Sequence, residues 1–531
     1  MIHLRRASQL LFLAFFIYLV INTQAKIVDT LYDIRSPFPA HLFFTSNPLT
    51  FLSVVASTKQ IIAIDYLPML VLVGLALVFG RYFCGWVCPL GTCIDALAHV
   101  VRPRPGSARP SGKTAHSVKF YVLLALLLVA LLGMNLVGFL DPITIMMRST
   151  TYSLLPYSEL LVRGALDPLY NVPVVNRVSE LAYSFLKRTV LTFSEPYYQN
   201  AFLFFCLFLL VLGLTAVRKR FWCRYVCPLG AFYGYVGQVG VVRRRVDEKC
   251  TQCGLCEKQC RMRSIKEPAE RFDHRECVLC MECQAICPVD AIHFSPRPRR
   301  GVAQDTAIDI SRRGFIKTVG ISILVFPLFR VGQRKIIASE FLIRPPGAMP
   351  ESEFLQKCIR CGECMRICPG NALHPALFQS GMEGLWTPIV IPRLGYCVYD
   401  CALCGTVCPT GAIEELSVPA KKITCIGTAY FDRNRCIPFD ELQDCSVCEE
   451  ACPVSPKAIK LVPTEVVDDQ GHHKVIKQPY MVEEECIGCG ICETKCPVEG
   501  TSAILVTSRN ESRAARAQGA QTGGMLEGSF Y

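Results

Sequence analysis

The spacing of the cysteines constrains this chain more than any other feature. Of its 531 residues, 31 are cysteine, and two consecutive runs follow the pattern Cys-x2-Cys-x2-Cys-x3-Cys of bacterial two-cluster ferredoxins. These runs are Cys250, Cys253, Cys256, Cys260 and Cys277, Cys280, Cys283, Cys287. Zinc sites usually separate their Cys-x2-Cys pairs by a dozen or more residues. The spacing therefore predicts iron–sulfur clusters rather than zinc or disulfides.

In such runs the first three cysteines surround one cubane, and the fourth crosses to the neighbouring cluster. The sequence thus predicts two [4Fe-4S] clusters with exchanged fourth ligands. One set is Cys250, Cys253, Cys256 and Cys287. The other set is Cys277, Cys280, Cys283 and Cys260.

Four further runs follow, and each ends in Cys-Pro. They are Cys358, Cys361, Cys364, Cys368; Cys397, Cys401, Cys404, Cys408; Cys436, Cys445, Cys448, Cys452; and Cys486, Cys489, Cys492, Cys496. Six runs of four predict six [4Fe-4S] clusters, bound by 24 of the 31 cysteines. Four-cluster subunits of this kind usually pair the first run with the fourth and the second with the third. We adopt that pairing, and sequential pairing remains open.

The cysteines outside these runs divide into two groups. Cys206 lies in an apolar stretch, where a thiol is a small apolar filler, and Cys93 and Cys425 have no evident partner. The other four form a symmetric set, namely Cys84, Cys88, Cys223 and Cys227. These thiols could hold a further metal or a seventh cluster, form redox-active disulfides, or remain reduced in helix-end packing.

Apolar stretches indicate that part of the chain lies in lipid. Mean hydropathy is +0.33 and only 19% of residues are charged. The stretches cover 9–21, 61–80, 118–140, 201–217 and 316–329. The middle three are long enough, or nearly so, to cross a bilayer core of ~30 Å at ~1.5 Å per residue. The predicted fold is an α-helical membrane bundle of about four spans, α+β bacterial-type ferredoxin domains and one further short anchor span.

Basic residues set the predicted orientation. Lys and Arg concentrate in the loop 101–117 and at 218–220 and 243–245, so the positive-inside rule places these segments in the cytoplasm. A cleaved signal peptide is the alternative for the first stretch. The formal charge of +12 counts thiolates as neutral, and an oxidised cubane on four thiolates carries about −2. Six cubanes would cancel this excess, so no nucleic-acid partner is inferred.

The membrane part repeats itself. Asn-Pro-Leu-Thr at 47–50 precedes a span that leads to Cys84-x3-Cys88-Pro-Leu-Gly, and Asp-Pro-Ile-Thr at 141–144 precedes a span that leads to Cys223-x3-Cys227-Pro-Leu-Gly. This pattern predicts a pseudo-twofold four-helix bundle in which both cysteine motifs meet at the cytoplasmic face.

A twin-arginine string, Ser-Arg-Arg-Gly-Phe-Ile-Lys at 311–317, precedes the short fifth stretch. It has the form of an export signal, for which an ordinary basic flank is the alternative. Cubanes are assembled in the cytoplasm, so a four-cluster domain would have to cross the membrane folded. The predicted domains are 1–245 (membrane), 246–295 (cytoplasmic ferredoxin), 296–334 (linker and short span), 335–508 (periplasmic four-cluster domain) and 509–531 (tail).

On these motifs the chain resembles known respiratory proteins. Residues 1–295 resemble the membrane ferredoxin-type protein NapH of periplasmic nitrate respiration and, more loosely, the membrane core of NosR. Residues 311–505 resemble NapG and MauM, although here both parts share one polypeptide. The resemblance implies a quinol dehydrogenase of the bacterial inner membrane, with lipid and quinol as ligands. It further implies that electrons pass to a periplasmic reductase or multihaem cytochrome.

A quinol site needs an apolar slot and a proton acceptor. The candidates near the outer face are Asp65, Asp141 and His41, although each has a structural alternative, and the turns at 47–48 and 141–142 could simply cap helices. Two rival functions remain open from the sequence. One is a ferredoxin:quinone oxidoreductase that runs electrons inward, and the other is a maturation factor that handles a metal for a periplasmic enzyme.

Overall fold

The computed structural model describes residues 1–28, 31–34, 38, 41–61, 67–101, 113–170, 180, 183–184, 186, 197–265, 272–296, 311–330, 340–467 and 470–513. The chain divides into two compact units. The first comprises Met1–Ile21, Ala40–Ser158 and Asn200–Leu328. The second comprises Asn22–Pro39, Glu159–Gln199 and Phe329–Tyr531.

The first unit is mainly helical. Its described α-helices include Ile2–Asn22, Leu42–Thr45, Pro48–Thr58, Leu67–Phe79, Tyr82–Trp86, Pro89–Val100, Lys113–Leu131, Pro142–Ser149, Ala201–Gly213, Phe221–Tyr225, Pro228–Val236, Leu255–Gln259, Glu282–Ala285 and Arg312–Arg330. A π-helical turn, Thr150–Leu154, continues Pro142–Ser149 into the helix Leu155–Tyr170, which runs into the second unit. Short 3-10 turns are Val137–Phe139, Leu214–Ala216, Gly237–Val239 and His274–Glu276.

Within the described residues, one helix, Ile2–Asn22, is long and apolar enough to cross a bilayer. Shorter apolar helices overlap the three middle stretches of the sequence prediction. The third stretch was expected to run to residue 140, but its helix ends at Leu131. Gly133, at φ +87°, provides the left-handed residue that commonly ends a helix, and the Met134 N–H bonds back to the Val129 carbonyl at 3.2 Å.

The two sequence repeats begin their helices in the same way. The Asn47 side chain accepts a hydrogen bond from the Leu49 N–H at 3.0 Å and caps Pro48–Thr58. Asp141 likewise caps Pro142–Ser149 by accepting from the Ile143 and Thr144 amides. Proline at the first helical position suits both starts because its missing N–H would have had no helical partner. The sequence prediction that these turns cap helices is confirmed.

Each cysteine-rich region is framed by two-stranded antiparallel sheets. In the first unit Val242–Val246 pairs with Ile292–Pro296, so that Val242 lies opposite Pro296 and Val246 opposite Ile292. This pairing joins the chain just before the first ferredoxin run to the chain just after the second.

The second unit combines short helices with small antiparallel sheets. Its described helices include Glu351–Lys357, Glu363–Ile367, Leu403–Thr406, Val418–Lys422, Ile437–Asp440, Val447–Glu450 and Ile491–Lys495, with a 3-10 turn at Glu483–Glu485. Its strand pairs are Ala25–Val28 with Leu31–Ile34, Leu373–Pro375 with Pro388–Val390, Thr428–Phe431 with Ile504–Thr507, and Ile459–Val467 with His473–Met481. The α+β character expected of the ferredoxin parts is present.

Candidate iron-sulfur sites

In the second unit, four cavities are each lined by four cysteines. Apolar side chains form much of the remaining lining of each cavity. The cysteine sets are Cys358, Cys361, Cys364, Cys408; Cys368, Cys397, Cys401, Cys404; Cys436, Cys445, Cys448, Cys496; and Cys452, Cys486, Cys489, Cys492.

These sets correct the predicted pairing of the runs. The first run shares its cavities with the second and the third with the fourth, because Cys368 and Cys408 change places, as do Cys452 and Cys496. The expectation that the first run pairs with the fourth is therefore wrong. Each run is instead paired with its neighbour in the chain, as in the two-cluster ferredoxin pattern.

The loops that carry the first three cysteines share a backbone conformation. In four of the six runs, the residues two and four positions after the first cysteine have positive φ. These residues are Gln252 and Gly254, Leu279 and Met281, Arg360 and Gly362, and Gly488 and Gly490. A left-handed conformation at a residue such as Leu279 is uncommon and costs conformational energy. Its repetition indicates that the loops are shaped for a particular ligand.

That loop shape turns backbone amides toward the sulfur atoms. The thiols of Cys277, Cys358 and Cys486 each accept a hydrogen bond from the backbone amide of the residue two positions later in the chain. Successive amides that point into one concavity form an anion-binding nest. Four converging thiols in such a nest are the donor set that an anionic cubane requires, so the residues present fit [4Fe-4S] clusters.

In the first unit, Cys260 lies among the cysteines of the following run. Burial raises the pKa of Cys277, and the nearby thiols of Cys280, Cys283 and Cys260 raise it further. Such coupling requires the groups to be close. The structure thus brings together the set that the sequence assigns to the second cluster. Of the other set, Cys250, Cys256 and Cys287 belong to one apolar cluster, and Cys253 is exposed.

A buried cation, Arg244, lies between these two sets. Its guanidinium approaches the Cys256 sulfur at 3.6 Å and also hydrogen-bonds to the Cys283 thiol. Arg244 is 8% exposed and belongs to the strand Val242–Val246. From the sequence, Arg244 is only one of the basic residues that predict membrane orientation. Its contacts with the cysteines were therefore not predicted. A positive charge here is suited to stabilise anionic clusters.

The symmetric cysteines of the two repeats also converge. Cys84, Cys88, Cys223 and Cys227 are all buried. Burial raises the pKa of Cys227 well above its usual range, and the thiols of Cys223, Cys84 and Cys88 are close enough to add to the shift. Cys88 and Cys227 each occupy the N-cap position of a helix, and the Gly230 amide donates to the Cys227 sulfur at 3.3 Å.

Two buried arginines tie the repeats together. Arg81 donates to the Cys223 carbonyl at 3.3 Å, and Arg220 donates to the Cys84 carbonyl at 3.2 Å. Each arginine lies three residues before the first cysteine of its own motif. It donates to the backbone carbonyl of the first cysteine in the other motif. This exchange is the hydrogen-bonding pattern expected of a pseudo-twofold repeat, and the spacing Arg-x2-Cys was its signal in the sequence.

Carboxylates balance these arginines. Arg220 binds Asp95 through two contacts of 2.7 Å, and Arg81 binds Glu276 at 2.8 Å. Burial acts to raise the pKa of Asp95, but the Arg220 and Arg261 charges outweigh it and hold the pKa below its usual range. The pairing partners come from both the helical part and the ferredoxin loops of the first unit.

The three quinol-site candidates have different positions. Asp65 lies outside the described residues. Asp141 is fully buried and accepts hydrogen bonds from Asn47 at 2.8 Å and from the Thr144 hydroxyl at 3.0 Å, in addition to its capping bonds. His41 precedes the short helix Leu42–Thr45. The structure therefore gives Asp141 a structural role as a helix cap that links the two repeats.

Comparisons with protein families agree on iron–sulfur binding. A family described as "4Fe-4S binding domain" matches 66–107 and 200–247, and a "4Fe-4S dicluster domain" matches 357–412. Two further 4Fe-4S binding families match 270–293 with 479–500, and 247–263. The dicluster match spans the first two runs of the second unit, in agreement with their shared cavities.

Curated relatives match different lengths of the chain. The uncharacterized protein MJ0750 of Methanocaldococcus jannaschii is 26% identical over 276 residues, which are 51% of this chain and 94% of that protein. The ferredoxin-type protein NapG of Escherichia coli is 31% identical over 133 residues, 25% of this chain and 57% of NapG. The methylamine utilization ferredoxin-type protein MauM of Paracoccus denitrificans is 40% identical over 89 residues, 16% of this chain and 38% of MauM.

Proposed function

Since this chain is a ferredoxin-type iron–sulfur electron-transfer protein of the NapG and MauM kind, we propose that it is a membrane-bound quinol dehydrogenase. It oxidises quinol and passes the electrons through six [4Fe-4S] clusters to a periplasmic reductase or cytochrome. The proposed location is the bacterial inner membrane, with the first two clusters in the cytoplasm and the other four in the periplasm.

The exchange of ligands between neighbouring runs is the observation that carries this proposal. The helix Leu403–Thr406 begins beside Cys401 and ends before Cys408, and these two cysteines line different cavities. Clusters held in these two cavities would be joined by the short segment of chain between Cys401 and Cys408. When bound, such clusters supply one-electron transfer. The chain contributes rigid spacing and amide donors, as an electron conduit requires.

Apolar surface supports a membrane location for the first unit. Leu67, Leu70 and Val71 are 68%, 60% and 53% exposed on the helix Leu67–Phe79, and Phe202 is 69% exposed on Ala201–Gly213. Exposed apolar patches of this kind mark surfaces that contact a partner or lipid. We propose that these helices, together with Ile2–Asn22 and Lys113–Leu131, form the four-span bundle, and that quinol binds against its apolar face.

The proposal can be tested by mixing the purified protein anaerobically with a reduced quinol analogue and following cluster absorbance and electron paramagnetic resonance (EPR). The expected result is bleaching of the clusters, with one quinol consumed for every two electrons stored. Dithionite is the control that shows the clusters are intact. Clusters that respond to dithionite but not to quinol would overturn the proposal and would favour a metal-handling role.

A further inference from the structure

We propose that Cys84, Cys88, Cys223 and Cys227 together bind a seventh [4Fe-4S] cluster, which relays electrons to the cluster at Cys277, Cys280, Cys283 and Cys260. This inference extends the proposed function, but it depends on the cysteine geometry rather than on the electron donor.

The ligand count requires both repeats. The 4Fe-4S binding family matches each repeat separately, yet neither Cys-x3-Cys motif supplies four thiolates. The reciprocal bonds from Arg81 to the Cys223 carbonyl and from Arg220 to the Cys84 carbonyl hold the two motifs against each other. The resulting set of four buried thiols has the same number of sulfur ligands as each cavity of the second unit.

The local backbone is arranged for sulfur ligands. Cys88 and Cys227 occupy helix N-caps, where free amides and the helix dipole favour negative charge. The Gly230 amide donates to the Cys227 sulfur at 3.3 Å, and Gly91 occupies the equivalent position after Cys88. Hydrogen bonds to sulfur are one of the means by which proteins hold and tune iron–sulfur clusters.

Two alternatives fit less well. All four cysteines are free thiols, and among the described residues no group of three or more His, Cys, Asp or Glu side chains is arranged to hold a single metal ion. The same is true of the six runs, whose spacing fits the larger [4Fe-4S] group. A cluster therefore fits this arrangement better than a mononuclear metal site or a disulfide.

The surrounding charges favour an anionic occupant. In two groups of ion pairs near these cysteines, five cations share three carboxylates. The cations are Arg5, Arg81, Lys119, Arg220 and Arg261, and the carboxylates are Asp95, Glu276 and Glu282. Buried charge is costly unless it is compensated. The excess of positive charge can be compensated by clusters on four thiolates, which carry about −2 when oxidised.

The Cys84 motif lies against the ferredoxin loop that would receive the electrons. A Cβ on Gly85 would lie 2.3 Å from the Val278 carbonyl oxygen, so only glycine permits this approach to the ferredoxin loop. The Trp86 indole donates to the Leu279 carbonyl at 3.1 Å. Because Val278 and Leu279 lie between Cys277 and Cys280, the Cys84 motif packs directly on the loop that would hold the neighbouring cluster.

Electrons balance in single steps. A cluster held by Cys84, Cys88, Cys223 and Cys227 would accept one electron, and passing it to a cluster at Cys277 would reoxidise the first and reduce the second. Each quinol requires two such cycles and releases two protons as it becomes quinone. The relay thus converts a two-electron donor into one-electron transfers without any further reactant.

Iron and acid-labile sulfide analysis tests the inference. The anaerobically purified full chain should contain about 28 of each, because seven cubanes carry four apiece. Cys84→Ala and Cys227→Ala should each lower both values to about 24 and remove the same EPR component. The matched control Cys93→Ala, a cysteine on the helix that begins after Cys88, should keep the wild-type values.

The other outcomes are equally decisive. Wild-type protein with about 24 iron atoms, or iron content that is the same in wild type and Cys84→Ala, would overturn the seventh cluster. If an alanine variant does not fold, Cys84→Ser retains a ligating oxygen and should shift the potential of that component while the remaining clusters stay assembled. Failure of quinol to reduce a protein with about 28 iron atoms would refute the quinol proposal alone.

Discussion

Arg81 and Arg220 make reciprocal hydrogen bonds that link the two repeats of the first unit. Each guanidinium donates to the backbone carbonyl of the first cysteine in the other repeat, at 3.3 and 3.2 Å. A second direct link, from Asn47 to Asp141 at 2.8 Å, joins the two helix caps. The repeats are therefore interlocked by matching residues, which is why the four thiols they carry form a single site.

Asp95 should be essential to the stability of the first unit. It is paired with Arg5, Arg220 and Arg261, and Asp95→Asn would leave these cations without their shared carboxylate. Breaking a buried pair in this way costs roughly 3–5 kcal/mol. The variant should lose cluster absorbance at a markedly lower temperature in detergent.

The matched control for this variant is Asp247→Asn. Asp247 is half exposed and pairs with His293 at 3.0 Å, and a surface pair contributes about 0–1 kcal/mol. Equal thermal stability of the two variants would contradict the structural role assigned to Asp95.

Arg244 should raise the potentials of the two clusters in the first unit. A cation favours the reduced cluster because that state carries more negative charge. At roughly 7 Å and an effective dielectric constant of about 20, a unit charge contributes about 2 kcal/mol, and about 1.4 kcal/mol corresponds to ~59 mV for one electron. Arg244→Gln should therefore lower these potentials by about 100 mV in an EPR-monitored redox titration.

Arg245→Gln is the control for Arg244, because it removes the same charge from the next position of the strand, where the side chain is less buried. It should change the potentials far less. If both variants shift them equally, the effect is one of overall charge rather than of the contacts with Cys256 and Cys283.

Cys408 should belong to the same cluster as Cys358. The two line one cavity, although Cys408 ends the second run. Cys408→Ala and Cys358→Ala should each lower the iron content by about four atoms and remove the same EPR component. Cys404→Ala should remove a different one. Loss of a common component by Cys408→Ala and Cys404→Ala would instead assign the whole second run to one cluster.

The sequence was sufficient to predict iron–sulfur binding because the spacing of the cysteine runs is a local property of loops that surround a cubane. The place of Cys260 among the cysteines of the following run also followed from a short local pattern, and the place of Cys287 in the other set stays a prediction. The pairing of the last four runs depends on how distant segments pack, and analogy with other four-cluster subunits gave the wrong order. Cavities that combine Cys368 with Cys397 could be identified only from the fold.

Long-range polar contacts were similarly out of reach. The basic residues at 218–220 and 243–245 predict membrane orientation, yet Arg220 and Arg244 are buried and contact cysteines. The apolar stretch continues past Leu131, but the helix ends there because Gly133 adopts a left-handed conformation. Hydropathy describes which residues are apolar, whereas the helix boundary depends on backbone conformation.

Arg312 and Arg313 should act as an export signal for the second unit. Both are exposed at the start of the helix Arg312–Arg330, where a receptor could read them. Replacing both with lysine keeps the charge and should leave the second unit in the cytoplasm. Protease added to spheroplasts should then digest the second unit of the wild type and spare that of the variant. Equal digestion would show that the pair is only a basic flank.

Electron delivery from quinol to an acceptor outside the membrane shows whether the clusters of the second unit are the path of the electrons. In oriented spheroplasts supplied with a quinol analogue, the wild type and the control Cys425→Ala should reduce a membrane-impermeant acceptor at equal rates. Cys358→Ala should abolish this reduction, while the clusters at Cys250–Cys287 remain visible by EPR. Reduction at the wild-type rate by Cys358→Ala would contradict the account, because the clusters of the second unit could not then be the path.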